Sequence, residues 1–336
     1  MNLSRTGLAW ALALVTLFLF GAGLAAGSDG WSWPSHGVDD RAWAAIVGQI
    51  RAPRTLGAWA VGALLGLAGA VAQGLFRNPL ADPYLLGSAA GASLAVVAVL
   101  ALGAGAWALP VAMARWAEVG LVVAAFLGAL GGLALTLLLA RGAASTPRLL
   151  LSGVVVGVML TAVSDLLTLA SPDALRGRQG FLLGHTGYLG WDAVAWLLPG
   201  LLLTAAVAWR LSRVLDALAL GEDGALSLGL DLPRLRAALV AVLALSTGLA
   251  VAHAGLVAFV GLVAPHLVRR AVPGRHGTVL LASAAMGGVL LLAADVAART
   301  LLAPRELPVG VLTAVLGGGY LLWRLGRDAQ AAGARP

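Results

Sequence analysis

Arg51 and Arg54 stand three residues apart, on either side of Pro53, at the head of an apolar segment that runs to Phe76. On a helix that spacing puts both guanidiniums on one face. Two cations at a helix N-terminus oppose the macrodipole, so something must compensate them. The partner is a local carboxylate (Asp39 or Asp40), lipid phosphate, or an acidic residue of an external protein. Arg299 poses the same question. It follows Asp295 by four residues, which allows either an intrahelical bridge of roughly 0.3 kcal/mol or an outward-facing cation. Asp165, flanked by Ser164 and Thr168, is read as the only carboxylate well inside an apolar run. An ionisable group there is a candidate for ion coupling by default.

Two other stretches carry less chemistry and more shape. Leu215 to Leu232, LDALALGEDGALSLGLDL, is mildly amphipathic and broken by Gly221, Gly224 and Gly229. It predicts two small helices with a turn, either a surface connector or a knob for a partner. Phe259 to Arg270, FVGLVAPHLVRR, holds His266. A single imidazole at a helix end reads as a hydrogen-bonded structural residue rather than a metal ligand. His36, His185, His253 and His276 are scattered without ligand spacing. No metal site is expected. There is no Cys, hence no disulfide or thiolate chemistry. All 22 basic residues are Arg, and without Lys the chain has no P-loop. No Ser/His/Asp or paired-carboxylate arrangement suggests hydrolysis.

The elements that position these residues are set by composition. The chain has 336 residues, 60% hydrophobic and 11% charged, with mean hydropathy +0.93. A soluble domain carries about a quarter charged residues. Apolar runs near the length of a bilayer recur throughout, without period-two alternation, so the chain reads as a polytopic all-α membrane protein of about ten spans. The expected spans are 7–26, 56–76, 84–103, 119–140, 149–170, 192–210, 235–253, 254–268, 278–298 and 308–324. The first is either a signal peptide ending near Leu24-Ala25-Ala26-Gly27 or a retained helix, and is taken as retained. The run 254–268 is short and reads as starting with a partly buried, re-entrant turn. With the N-terminus inside, 14 of the 22 Arg fall on inner loops, in line with the positive-inside rule. Gly62/Gly66, Gly128/Gly132 and Gly153/Gly157 are four-residue pairs that let helix backbones approach closely.

The order and spacing of short motifs resemble the FecCD family, the permease subunits of type II ABC importers for cobalamin, haem and ferric siderophores. The motifs are Arg51-Ala52-Pro53-Arg54, Gln73 followed by Arg77-Asn78-Pro79-Leu80-Ala81-Asp82-Pro83, and Leu151-Ser152-Gly153-Val154. They continue with Leu220-Gly221, Leu228-Gly229-Leu230, Phe259 to His266, Ala294-Asp295 with Arg299, and Glu306-Leu307-Pro308-Val309-Gly310 with Thr313. The chain departs from that pattern at Gly184 to Trp191 and at Gly317-Gly318-Gly319-Tyr320.

The resemblance implies a single transmembrane permease domain over 1–336, with a periplasmic loop at 27–55 and a cytoplasmic coupling loop at 211–234. It implies an inner-membrane protein without catalytic residues or a cofactor of its own, ATP and Mg being bound by a partner ATPase. The implied partners are a second permease subunit, taken as an identical copy, two ATPase subunits, a periplasmic or lipid-anchored binding protein and the lipid bilayer, with no nucleic acid. By motif match Arg51, Arg54 and Arg299 are expected to dock the binding protein. Leu220, Gly221, Glu222, Ala225, Leu228 and Gly229 are expected to couple to the ATPase. Asn78, Leu80, Ser145 and Thr146 are expected to form the cytoplasmic gate, and Ser152, Gly153 and Gly157 to line the translocation path. The competing readings are an ion-coupled secondary transporter using Asp165 and a non-transporting membrane receptor.

Overall fold

A computed structural model describes residues 4–27, 30–31, 40–102, 111–140 and 146–333. The fold is almost wholly helical. In chain order the helices are α1 (Arg5–Ala25), α2 (Asp40–Ile46), α3 (Ala52–Leu75), α4 (Ser88–Leu102), α5 (Val111–Leu139), α6 (Thr146–Ala170) and α7 (Pro172–Leu183). Then come α8 (Trp191–Arg210), α9 (Ser212–Leu218), α10 (Glu222–Ser227), α11 (Leu232–Ala254), α12 (Val260–Ala271), α13 (His276–Thr300) and α14 (Val309–Gly333). Among the described residues, seven helices are long and apolar enough to cross a membrane.

The centre of the bundle is α3. From Pro53 to Leu75 almost every residue is buried, sheathed by α8, α11, α12 and α13. Small residues make this possible. A Cβ on Gly62 would lie 2.3 Å from the Gly287 carbonyl oxygen, and one on Gly66 would lie 2.1 Å from that of Ser283, both on α13. The α4–α5 pair uses the same device, with Gly91 against Gly128 and Gly132. Two of the three expected glycine pairs are therefore helix contacts. The third divides: Gly153 packs on the Leu85 carbonyl, while nothing stands within 4 Å of a Cβ on Gly157.

Four expectations are corrected. The loop 27–55 is helical from residue 40 onward, because α2 runs through a π-helical turn (Val47–Arg51) into α3 as one 35-residue rod from Arg41. The widened turn ends two residues before Pro53, which has no N–H to give to the carbonyl four residues back. The run 254–268 is not a full span. Its helix, α12, starts only at Val260 and has 12 residues, about 18 Å against the ~30 Å of a bilayer core. Gly255 and Phe259 both take positive φ, and the backbone between them bonds elsewhere: Leu256 N–H donates to Phe181 O, and Val257 O accepts from the Tyr84 hydroxyl. That is the re-entrant turn the short run foretold. Third, α7 is an additional helix, capped by Ser171 and too polar to register as a span. Fourth, Asp165 is not the one carboxylate within a span, since Asp295 on α13 is fully buried.

Both departures from the family pattern have a physical setting. Gly184 takes φ +66 with its Cα edge against the Leu256 carbonyl, and Gly317 leaves room for the Phe259 side chain, 2.4 Å from where a Cβ would stand.

Candidate functional site

The densest polar constellation lies where α1 ends, α3 begins and α13 ends. Asp295 and Arg299 are one turn apart on α13, and Arg54 comes from the first turn of α3. Asp295 accepts from Arg54 Nε (3.1 Å), from the Thr186 hydroxyl (2.6 Å) and from Arg299 Nη2. Arg54 turns its other two nitrogens on Glu306 as a bidentate fork, 2.9 Å to each carboxylate oxygen. Arg299 Nη1 donates to the carbonyls of Gly23 (3.0 Å) and Ala26 (3.1 Å), and Arg51 Nη1 to those of Leu24 (3.1 Å) and Ala25 (3.2 Å). Those of Gly23, Leu24 and Ala25 are the last carbonyls of α1, which have no acceptor role inside the helix and carry the negative end of its dipole, and Ala26 is its C-cap.

The puzzle of cations at the head of α3 is thereby answered. Arg51 completes α1, and Arg54 is neutralised by Asp295 and Glu306, two residues more than two hundred positions away in sequence. Asp39 and the Asp40 side chain lie outside the described residues. The local Asp295–Arg299 bridge is present. Arg54 and Arg299 are not open surface cations: they are 9% and 1% exposed, and Asp295 is 0% exposed. Two cations and two anions leave the knot neutral, which is what a buried charge cluster requires. Glu306, on the loop before α14, is its accessible member, with a third of its side chain exposed. The hydrogen bonds from Arg54 hold its carboxyl below the usual range. Beside it, burial pushes the His185 imidazole down.

At the opposite end, the 211–234 loop folds as α9 and α10, the two small helices with a turn that its sequence predicts. Gly221 (φ 102) and Gly229 (φ 74) take left-handed turns that a side chain would strain. Leu220, Leu226 and Leu228 are exposed, at 74%, 54% and 61%. Ala225 faces inward and is fully buried, and Glu222, with 38% of its side chain exposed, is held by Arg236 of α11 at 2.6 Å. Asp216 was not singled out by sequence. Its Oδ1 accepts from the His276 backbone N–H (3.0 Å) and lies 2.7 Å from the His276 Nδ1.

Among the gate residues, Asn78 and Leu80 are exposed in the turn after α3, where the Asn78 side chain accepts from the Leu80 N–H at 2.9 Å. Thr146 opens α6, and Ser145 lies outside the described residues. Gly153, Gly157 and Thr161 of α6, with Tyr84 and Leu85, line an open groove of about 440 Å³ that ends at Asp165. Ser152 is half-buried and is not part of its lining. Asp165 is itself engaged, with its Oδ1 2.5 Å from Arg178 Nη1 on α7. Among the described residues no three of His, Asp and Glu are grouped so as to hold a metal ion.

Residues 8–327 match the FecCD transport family. The haemin transport system permease protein HmuU of Yersinia pestis is 38% identical over 284 residues, which cover 84% of this chain and 83% of that protein. The vitamin B12 import system permease protein BtuC of Salmonella paratyphi A is 39% identical over 332 residues, 97% of each chain. The BtuC of Pectobacterium atrosepticum is 39% identical over 325 residues, 96% of this chain and 94% of its own. A solved chain described as a metal-chelate type ABC transporter, in an inward-facing conformation, superposes with a TM-score of 0.82. It is 28% identical, and the match covers 94% of this chain and 98% of that one.

Proposed function

The chain belongs to the FecCD transport family, and on that premise we propose that it is the inner-membrane permease subunit of an ATP-driven importer. Its cargo is a metal chelate of the ferric siderophore, haem or cobalamin class, handed over by a binding protein outside the membrane. Two ATPase subunits bind ATP and Mg and supply the work, and a second copy of the chain completes the path. The observation that carries the reading is the match over most of the chain to HmuU, a haemin transport system permease protein, and BtuC, a vitamin B12 import system permease protein.

The geometry supports a division of labour. The aliphatic tip formed by Leu220 and Leu228 suits insertion into a motor subunit, and Gly221 and Gly229 set the turns that present it. The exposed turn at Asn78 and Leu80 suits a gate, which Ser145 and Thr146 of the following cytoplasmic loop would complete. The groove along Gly153 and Gly157 suits a wide, weakly held cargo, with Ser152 one position outside it.

Docking of the binding protein falls at the end marked by Arg51, Arg54 and Arg299. Since Arg54 and Arg299 are already paired, an acidic partner residue reaches Arg54 by sharing or replacing Glu306. Docking of this kind gives orientation and on-rate more than affinity. The ion-coupled alternative loses ground because Asp165 is already engaged in a bridge to Arg178 of α7.

The test is uptake into proteoliposomes that hold this chain, its ATPase and its binding protein, offered labelled cobalamin, haem and a ferric siderophore. ATP-dependent uptake of one cargo that needs all three proteins supports the proposal. Ion-driven uptake by this chain alone overturns it.

A further inference from the structure

The element formed by α9 and α10 is too small to stand by itself. Its helices have seven and six residues, below the length at which an isolated helix holds in water, and the turns at both ends of α10 contain glycine. Packing of Leu215, Leu218 and Ala225 gives it a floor, yet apolar packing alone lets a small element slide or tilt. What fixes it in direction is polar. Asp216 on α9 holds the first residue of α13 at two points, its backbone N–H and its ring. The backbone contact satisfies one of the orphan donors of the α13 N-terminus. Glu222 at the start of α10 holds Arg236 on α11, a guanidinium whose side chain is 4% exposed. The two contacts reach two different long helices and are charge-assisted, the stronger class of hydrogen bond.

We propose that Asp216 and Glu222 are the positioning residues through which motion of the α9–α10 element is passed to α13 and α11; this rests on the reading of that element as the ATPase-coupling unit. Leu220, Leu226 and Leu228 point away from the bundle, while Asp216 and Glu222, only partly exposed, bond to α13 and α11. A displacement applied at the aliphatic tip is thus delivered to the inner ends of α13 and α11. α13 has 25 residues, about 37 Å of rod. Its far end carries Asp295 and Arg299, and its middle is locked to α3 through Gly62, Gly66 and Gly287. One anchor at Asp216 therefore connects the motor face to the charged knot at the opposite end.

The experiment is the number of chelate molecules taken up per ATP hydrolysed, in the reconstituted complex of permease, ATPase and binding protein. Asp216→Ala, Glu222→Ala and the double variant are compared with wild type. In Asp216→Ala the expected result is ATP hydrolysis within about twofold of wild type and an uptake ratio lowered on the order of tenfold, the scale of one lost charge-assisted bond, with a further fall of the ratio in the double variant. Asp216→Asn, which keeps an acceptor oxygen, is expected to restore the ratio. If Asp216→Ala does not hold the ATPase, His276→Ala is used instead, since it removes the side-chain contact and leaves the backbone one.

An unchanged ratio in the double variant overturns the proposal. So does a loss of hydrolysis in step with uptake, which marks the pair as merely structural. Absence of ATP-dependent uptake in wild type counts against the importer reading instead. In that case hydrogen exchange of the 212–227 amides in the chain alone decides the anchors: faster exchange in Asp216→Ala upholds them, and no change refutes them.

Discussion

Replacing Asp295 by Asn tests the central claim about the charged knot. The substitution keeps shape and removes one charge. In the native chain Arg54 and Arg299 face Asp295 and Glu306, two against two. In Asp295→Asn, two guanidiniums, one of them 1% exposed, share only Glu306. An amide nitrogen of the new side chain also has to stand near Arg299 or Arg54, donor against donor. Breaking a buried ion pair from one side costs about 3–5 kcal/mol. At roughly 2 °C per kcal/mol for a chain of this size, the Tm should fall by about 6–10 °C. Thermal unfolding of the purified chain in detergent micelles measures it, with Asp165→Asn as control. Asp165 has a half-exposed side chain, and losing its bridge should cost no more than about 1 kcal/mol. If Asp295→Asn melts with wild type while its docking of the binding protein fails, the cations are open sockets awaiting an outside partner. Arg54 and Arg299 then form no internal knot with Asp295 and Glu306.

Four further outcomes follow from the same geometry. Glu306→Gln should raise affinity for an acidic binding protein several-fold, as judged by surface-immobilised docking, because it removes the carboxylate that the partner has to replace; weaker docking would show that Glu306 supports the socket rather than competing for it. Glu306 also sets a pH dependence. Its folded pKa lies below the ordinary 4.5 because of Arg54, so its contribution is complete above pH 4.5 and is lost as pH falls through the folded value; the Tm of wild type should drop in that acid range more than that of Glu306→Gln. Gly66→Ala places a Cβ 2.1 Å from the Ser283 carbonyl oxygen and should cost about 1–3 kcal/mol of thermal stability, whereas Gly157→Ala, with open space beside it, should leave the Tm unchanged and slow the uptake of a wide chelate. Arg54→Glu should lower the Tm as well as docking, because it sets a third carboxylate among Asp295 and Glu306; Arg51→Glu, at a half-buried position, should weaken docking with a smaller loss of stability.

Much of this architecture is legible in the residues themselves. The apolar runs mark ten segments that each contain a helix, and the Gly62/Gly66 spacing announces the close approach of α3 to a neighbour. The breaks at Gly221 and Gly229 foretell two small helices. What composition hides is facing and pairing. Nothing in a local window says that Arg54 meets Glu306, 252 residues away, or that Asp295 rather than Asp165 is the carboxylate withdrawn from solvent. Ala225 lies in a stretch read as presented to a partner, yet a helix of six residues has an inner face too, and Ala225 occupies it. α7 was missed because Arg176, Arg178 and Gln179 make it polar. The helical course of residues 40–55 is hidden because the polar residues Asp39, Asp40 and Arg41 interrupt the apolar pattern, and a π-helical turn joins α2 to α3.

The enclosure of α3 has a consequence for how the chain is made. Its most apolar window is 89% buried by protein, against 22% for α1, and its hydropathy is 1.7 against 2.2 for α1. A Gly- and Ala-rich segment gains little from lipid, and its stability comes from the fit of neighbours. Synthesis proceeds from the N-terminus, so α3 reaches the bilayer long before α11 and α13 exist to cover it. In the interval it is a weakly inserted helix with bare backbone ridges, free to pair with any small-residue surface. Mutations in α13 should thus appear first as degradation of the newly made protein rather than as slow transport.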